Sequence, residues 1–240
     1  MLPGLQIVDP AHPKASFCPY QFHHEEKLRS WKKTFPDPSA SPACYTKALI
    51  IGSSYVLRGA DADGGGWLRG FSHVVRLEVK LPVHHHELPM STSTIPLVAF
   101  HGFSPVIKSL YLMFTLLPPS HIFDLILSFP LLEDLSLTTF GGPAYNDDNP
   151  GWLPTARPSS PPILTGTLAL FLMKGTELVT RRLLSLPGGI HFRKLTWTWF
   201  HEEDLPLIMG LVEVCSDTLE SLSVTYQLSG TSIPQTRPPQ

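Results

Sequence analysis

A short pattern of leucines recurs along this chain and constrains its fold more than any other feature. The pattern is clearest in residues 129–137, which read FPLLEDLSL. Leu132, Leu135 and Leu137 follow the order leucine, two spacers, leucine, one spacer, leucine. Because the last two leucines alternate with polar residues, the segment is predicted to be a strand with one buried face.

Pairs of apolar residues separated by one spacer mark further copies of this strand. The pairs are Leu49/Ile51, Leu77/Val79, Leu110/Leu112, Leu135/Leu137, Leu168/Leu170, Leu195/Trp197 and Leu222/Val224. Their first members are about 28, 33, 25, 33, 27 and 27 residues apart, close to the period of leucine-rich repeats. An apolar residue three positions earlier completes most copies: Val74, Ile107, Leu132, Phe192 and Leu219, with Thr46 and Thr165 in the first and fifth copies.

The spacing predicts an α/β fold, an irregular leucine-rich-repeat solenoid with a curved parallel sheet and short helices on its outer side. Two helical stripes lie between strands: Ile122, Leu125, Ile126 and Phe129, and then Leu205, Ile208, Met209, Val212 and Cys215. A doubly wound sheet of unrelated βα units is an alternative. It is less favoured because buried parallel strands of that class are continuously apolar, whereas these alternate.

The predicted organisation has three parts. Residues 1–44 form an irregular, proline-rich lead-in with a short helix at 25–35, where Leu28, Trp31 and Phe35 lie three and four apart. Residues 45–228 form the repeat domain, with loop insertions at 82–96 and 141–162. Residues 229–240 form a disordered tail.

Composition and charge exclude several classes of function. The net charge of −2 and the pI of about 6.6 provide no basic field for nucleic acid. The apolar runs are far shorter than the ~20 residues of a membrane span, and the first residues do not resemble a secretory signal. Cys18, Cys44 and Cys215 show neither disulfide nor metal spacing. These features predict an intracellular protein, cytoplasmic or nuclear.

Clusters of chemically active residues have simpler interpretations. His84, His85, His86 and Glu87 suggest a metal-dependent hydrolase as a remote alternative, but a polar surface insertion is favoured because no second ligand group has a defined spacing. The segments 23–26 and 201–204 place acidic residues where helices begin, which suits the helix dipole. Residues 64–66 and 186–189 are predicted turns. We therefore expect no catalytic residue, no metal and no cofactor.

Function is predicted to lie on the strand residues that flank each apolar pair, because they alternate to the opposite, concave face. Tyr111, Met113 and Arg76 are the first candidates, since these residue types are favoured at protein interfaces. The predicted partner-binding residues are Arg76, Glu78, Lys80, Tyr111, Met113, Asp134, Ser136, Lys194, Thr196 and Ser223.

Residues 129–137, 186–195 and 215–222 resemble the repeats of F-box and leucine-rich-repeat proteins of basidiomycete fungi. The segments 31–35 and 41–46 resemble the entry into that repeat region, so the similarity covers roughly residues 28–226. The resemblance implies a non-enzymatic module like the substrate-binding repeats of a cullin ubiquitin ligase subunit. The stretch before Leu28 is too short for an F-box, so contact with a Skp-type adaptor is expected only if an F-box lies upstream. A scaffold without a ubiquitin link is the alternative.

Overall fold

The computed structural model of the chain describes residues 20–22, 25–37, 40–52, 66–81, 103, 105–114, 119–139, 162–172, 176–186, 188–200 and 202–226. The predicted insertion 82–96, nearly all of the insertion 141–162 and the predicted tail 229–240 lie outside these ranges.

Within these ranges eight strands form one parallel sheet, and each strand pairs with the next along the chain. The strands are β1 (Tyr20–Phe22), β2 (Ala48–Ile51), β3 (Arg76–Leu81), β4 (Ser109–Phe114), β5 (Asp134–Thr139), β6 (Thr167–Leu172), β7 (Lys194–Phe200) and β8 (Ser221–Tyr226). The predicted α/β class with a parallel sheet is confirmed. Strictly sequential order is compatible with a solenoid-like stack.

The register of the sheet aligns every predicted apolar pair with its neighbours. Leu49 lies opposite Leu77 and Ile51 opposite Val79, and the two rows continue through all seven pairs to Leu222 and Val224. From β2 to β7 these side chains are at most 5% exposed and form the core. Burying a leucine-sized side chain contributes about 1.5–3 kcal/mol, so these two rows are a main source of stability.

Strand β1 differs from the predicted lead-in 1–44, because Tyr20–Phe22 pairs with Leu49–Ile51 and begins the sheet. The aromatic ring of Phe22 is buried among those of Trp31, Trp67 and Phe71, with ring centroids 5.4–6.1 Å away at steep angles. Such edge-to-face pairs each contribute about 0.5–1.5 kcal/mol beyond burial. These contacts come from distant residues, which explains why the three-residue strand shows no pattern of its own.

Four helices lie between strands in the described ranges: α1 (Glu25–Thr34), α2 (Pro119–Leu127), α3 (Thr176–Leu184) and α4 (Leu205–Val214). Short 3₁₀ helices occupy Pro42–Tyr45, Gly66–Phe71 and Glu202–Asp204. Helix α1 occupies the stretch predicted at 25–35. The stripe of α2 is buried as predicted, since Ile122, Leu125, Ile126 and Phe129 all belong to the core.

The stripe predicted for α4 was wrong at Leu205 and Met209, which are exposed. Ile208 and Cys215 are buried as predicted, and Leu211, which the prediction left out, completes the buried face. The helix is apolar on most of its circumference, and therefore spacing alone does not decide which side packs on the sheet.

A repeated hydrogen-bond pattern joins consecutive repeats just before each strand. The carbonyl of Lys108 accepts from the N–H groups of Glu133 and Asp134 at 2.8 and 2.9 Å. The carbonyls of Lys47, Val75, Gly166 and Arg193 each accept in the same way from two consecutive N–H groups of the next repeat. The junction between β5 and β6 departs from this pattern, as described below.

Candidate functional site

The face of the sheet opposite the core is lined mainly by polar residues, and we call it the polar face. Its residues form three rows across β3 to β8, because side chains alternate along each strand. The first row contains Arg76, Ser109, Asp134, Thr167, Lys194 and Ser221; the central row contains Glu78, Tyr111, Ser136, Ala169, Thr196 and Ser223; the third row contains Lys80, Met113, Thr138, Phe171, Thr198 and Thr225.

The ten residues predicted to bind a partner all belong to these rows. Arg76, Lys194 and Ser223 are exposed, Glu78 is buried, and the other six are partly exposed. The face that they share follows directly from strand alternation. Their role in binding stays a prediction.

An open depression of about 340 Å³ lies on the polar face over β3 to β6. It brings four of the predicted residues together: Arg76, Tyr111, Asp134 and Ser136. Its remaining lining comes from Ser109, Leu110, Leu135, Thr167 and Ala169. The predicted residues Lys194, Thr196 and Ser223 lie farther along the sheet on β7 and β8 and do not line it.

One carboxylate organises the charges at the β3 side of this depression. Glu78 is only 8% exposed and forms ion pairs with Arg76 at 3.6 Å and with Lys80 at 2.5 Å. A buried carboxylate requires such partners, since leaving it unpaired costs several kcal/mol. Two cations share one anion, so this part of the polar face carries net positive charge. Glu78 therefore positions Arg76 and Lys80 rather than presenting a free carboxylate.

Asp134 has a structural role at the centre of the face. Its Oδ2 accepts a hydrogen bond from the hydroxyl of Ser109 at 2.9 Å, and its Oδ1 accepts one from the backbone N–H of Thr167 at 2.7 Å. The carbonyl of Glu133 accepts a hydrogen bond from the N–H of Gly166 at 3.0 Å. At the junction between β5 and β6, a backbone carbonyl therefore binds the first of the two N–H groups, and the Asp134 side chain binds the second, that of Thr167. With both oxygens engaged, Asp134 has less capacity for a partner than the prediction assumed.

Two hydroxyl groups on β5 are buried without hydrogen-bond partners, Ser136 Oγ and Thr138 Oγ1. Thr138 is 4% exposed and lies between Met113 and Phe171 in the third row. Unsatisfied buried hydroxyls are uncommon in folded proteins and cost about 1–3 kcal/mol each. Both hydroxyl groups are enclosed by neighbouring side chains of the polar face.

The set of predicted binding residues left out the contribution of β6. Thr167 and Ala169 line the depression, and Phe171 continues the third row beside Thr138. The signal was available, because these residues flank the Leu168/Leu170 pair as Tyr111 flanks the pair of β4. Thr165 in place of the upstream apolar residue made this copy less typical.

The other clusters noted in the sequence contribute no site to the part of the chain that is described. His23, His24, His84 to Glu87 and His201 lie outside the described ranges. In those ranges, no three His, Cys, Asp or Glu side chains are placed to hold a metal ion together. Glu202–Asp204 forms a 3₁₀ turn that leads into α4. The turn predicted at 186–189 follows the end of α3, and Gly189 has a φ of +68°, which glycine adopts readily.

No helix within the described ranges has the length and apolar character needed to cross a membrane. No family model, curated protein or solved structure matches the chain.

Proposed function

We propose that this chain is a non-enzymatic protein-recognition module, built as an irregular leucine-rich-repeat solenoid, which binds a protein partner on the polar face. The observation that carries the proposal is the depression over β3 to β6, where Arg76 and Tyr111 lie beside partly buried hydroxyl groups. Arginine and tyrosine are the residue types that most often dominate binding energy at protein interfaces.

The supporting strands give this surface a rigid frame. Tyr111 lies between Leu110 and Leu112, and Ser136 lies between Leu135 and Leu137, all four of which are buried in the core. Because core packing already fixes the backbone of these strands, their side chains lose little additional conformational entropy on binding, which favours affinity. The net positive charge around Arg76 and Lys80 favours a partner segment that carries an acidic residue.

The partner is proposed to be the substrate of a ubiquitin ligase, by resemblance to the repeat regions of F-box proteins. Contact with a Skp-type adaptor would require an F-box, and a scaffold with no ubiquitin link is the alternative. Affinity purification of the chain from its source cells distinguishes the two. A ligase subunit brings down the adaptor together with the partner, whereas a scaffold brings down the partner alone.

The binding surface is tested with Arg76→Ala and Tyr111→Ala, and Arg181→Ala serves as the matched control. Arg76 and Arg181 are both exposed arginines in an ion pair with a glutamate, but Arg181 lies on α3, on the other side of the sheet. We expect the first two substitutions to weaken capture of the purified partner about tenfold or more while the melting temperature stays nearly unchanged. Equal capture by all three variants would remove the polar face as the binding surface.

A further inference from the structure

The charged side chains of the polar face do not balance. The three rows across β3 to β8 contain five of them: Arg76, Glu78, Lys80, Asp134 and Lys194. Three are cations and two are carboxylates, so the face carries one net positive charge. The first row has a cation towards each end, Arg76 on β3 and Lys194 on β7.

Both carboxylates of the polar face are already engaged by the chain itself. Glu78 forms ion pairs with the two cations of its own strand. Asp134 accepts hydrogen bonds from the hydroxyl of Ser109 and from the N–H of Thr167 through separate oxygens. A basic group of a partner would have to compete with these contacts, so a basic partner segment is disfavoured.

The two outer cations, in contrast, retain hydrogen-bond donors. The side chain of Arg76 is 61% exposed, and its ion pair with Glu78, at 3.6 Å, engages few of the five N–H donors of a guanidinium. Lys194 is exposed, and its ammonium group has no hydrogen-bond or ion-pair partner among the residues that the structure describes. Carboxylates complement such donors best, because each accepts several charge-assisted hydrogen bonds.

The depression on the polar face is longer than it is wide. Its lining comes from two neighbouring rows over the four strands β3 to β6. With about 4.8 Å between strands and about 3.3 Å between residues, the lining extends roughly 14 Å across the strands and roughly 7 Å along them. An α-helix with its side chains is about 10 Å wide, whereas an extended chain is narrower. The shape therefore favours an extended peptide that crosses the strands.

The distance between the two outer cations sets a spacing for the peptide. Arg76 and Lys194 lie four strands apart in one row, which corresponds to roughly 19 Å of sheet. About six residues of an extended chain cover that distance. Because side chains alternate in an extended chain, two residues separated by an even number of positions both point towards the sheet.

We propose that the polar face binds an extended acidic segment of the partner protein, which crosses β3 to β7 and carries two acidic residues about six positions apart. One carboxylate binds Arg76, the other binds Lys194, and the residues between them lie in the depression over Tyr111 and Ala169. This inference rests on the proposed function and adds the chemistry and direction of the partner segment. One net positive charge is too little for nucleic acid, whose binding depends on several phosphate contacts.

The test begins with phage-displayed random peptides, each about ten residues long, selected on the purified 240-residue chain. The selected peptides are expected to carry two aspartates or glutamates about six positions apart. For each synthesised peptide, a control of the same composition has one acidic residue moved three positions closer to the other. The move shortens the span and turns one carboxylate away from the sheet. Fluorescence anisotropy should show about fivefold weaker binding of the control peptide.

Lys194→Glu tests the second anchor, and we expect it to weaken binding of the selected peptides about fivefold or more. Replacing one of the two peptide acids by lysine should restore binding to this variant and thereby identify the end of the peptide that lies over β7. Lys27→Glu is the matched control, because it makes the same change in net charge at another exposed lysine. Lys27 lies on α1, which packs on the core side of the sheet through Trp31 and Phe22. Its substitution should leave binding unchanged.

The outcomes separate this inference from the proposed function. Peptides that bind Lys194→Glu as well as the wild type, yet lose binding to Tyr111→Ala, would overturn the two-anchor inference and keep the polar face as the binding surface. Failure to select any peptide would overturn it as well, while loss of partner capture by Tyr111→Ala would still support the proposed function. Peptides unaffected by either substitution would count against both proposals.

Discussion

The Oδ1 atom of Asp134 accepts a hydrogen bond from the backbone N–H of Thr167 at 2.7 Å, and this contact joins β5 to β6 across 33 residues of chain. At the five other junctions from β2 to β8, both N–H groups at the start of a strand are bound by one backbone carbonyl of the preceding repeat. Here the Asp134 side chain replaces the carbonyl for one of them. A residue predicted to face a partner thus holds two repeats together.

Asp134→Ala is expected to lower the free energy of unfolding by about 1–3 kcal/mol, because the Thr167 N–H and the Ser109 hydroxyl lose a charge-assisted acceptor. Asp134→Asn keeps an oxygen acceptor at the same position and should lose distinctly less. Urea denaturation of the three proteins measures the difference. Equal stability of the Ala and Asn variants would contradict the proposed junction.

Gly166→Ala is expected to destabilise the same junction by about 2 kcal/mol or more, since an added Cβ would lie 2.2 Å from Asp134 Oδ1. Gly210→Ala is the matched control. Gly210 lies in α4, and an added Cβ there would meet only Leu184 Cδ1 of α3, at 3.7 Å. Replacing a helical glycine by alanine should therefore raise the free energy of unfolding by up to about 1 kcal/mol.

The double variant Asp134→Ala/Gly166→Ala separates steric conflict from a general intolerance of side chains at position 166. Removal of the carboxylate relieves the contact, so the double variant should be more stable than the sum of the two single losses implies. Strict additivity in thermal or urea unfolding would show that the two residues do not interact.

Equivalent core positions should contribute different amounts to the free energy of unfolding, depending on whether their strand lies inside the sheet or at its edge. Leu135→Ala removes a side chain that is 1% exposed and should cost about 2–5 kcal/mol. Leu222→Ala changes the same repeat position in β8, where exposure is 47%, and should cost about 1 kcal/mol. A similar loss at both positions would mean that Leu222 is covered in solution.

Stability should decrease at alkaline pH because of Cys215. Burial raises the pKa of this thiol above its ordinary value of 9.0, although a hydrogen bond from the backbone near Phe192 opposes the shift. The thiol is neutral in the folded chain at pH 7. Its raised pKa contributes stability that is fully present below the pKa of the unfolded chain. This stability is lost as the pH rises through the pKa of the folded chain. Denaturation from pH 7 to 10 should show a steeper loss for the wild type than for Cys215→Ala.

Much of the fold was predictable because it depends on local alternation. Leu49/Ile51 and the six later pairs identify seven strands, and a period of two fixes which side chains share a face. Strand β1 was missed because three residues show no period, and its burial comes from Trp67 and Phe71 far along the chain. The buried face of α4 was predicted only in part, because apolar residues lie on most sides of that helix.

The candidate site was predictable in its position but not in the roles of its residues. The ten predicted residues share one face, as alternation requires. The structural role of Asp134 depends on an N–H group 33 residues away, and the burial of Glu78 depends on how Arg76 and Lys80 fold over it. The Asp134 contact is not visible in local spacing, and alternation shows only that Arg76, Glu78 and Lys80 share a face, not that Glu78 is buried.

Site-specific photocrosslinking tests most directly whether the polar face is the recognition surface. A photoreactive residue replaces Tyr111 in one protein and Glu177, which is exposed on the helical side of the sheet, in another. Crosslinks to the purified partner are expected from position 111 and not from position 177, and Arg76→Ala should reduce them. Crosslinks from position 177 alone would contradict recognition by the polar face.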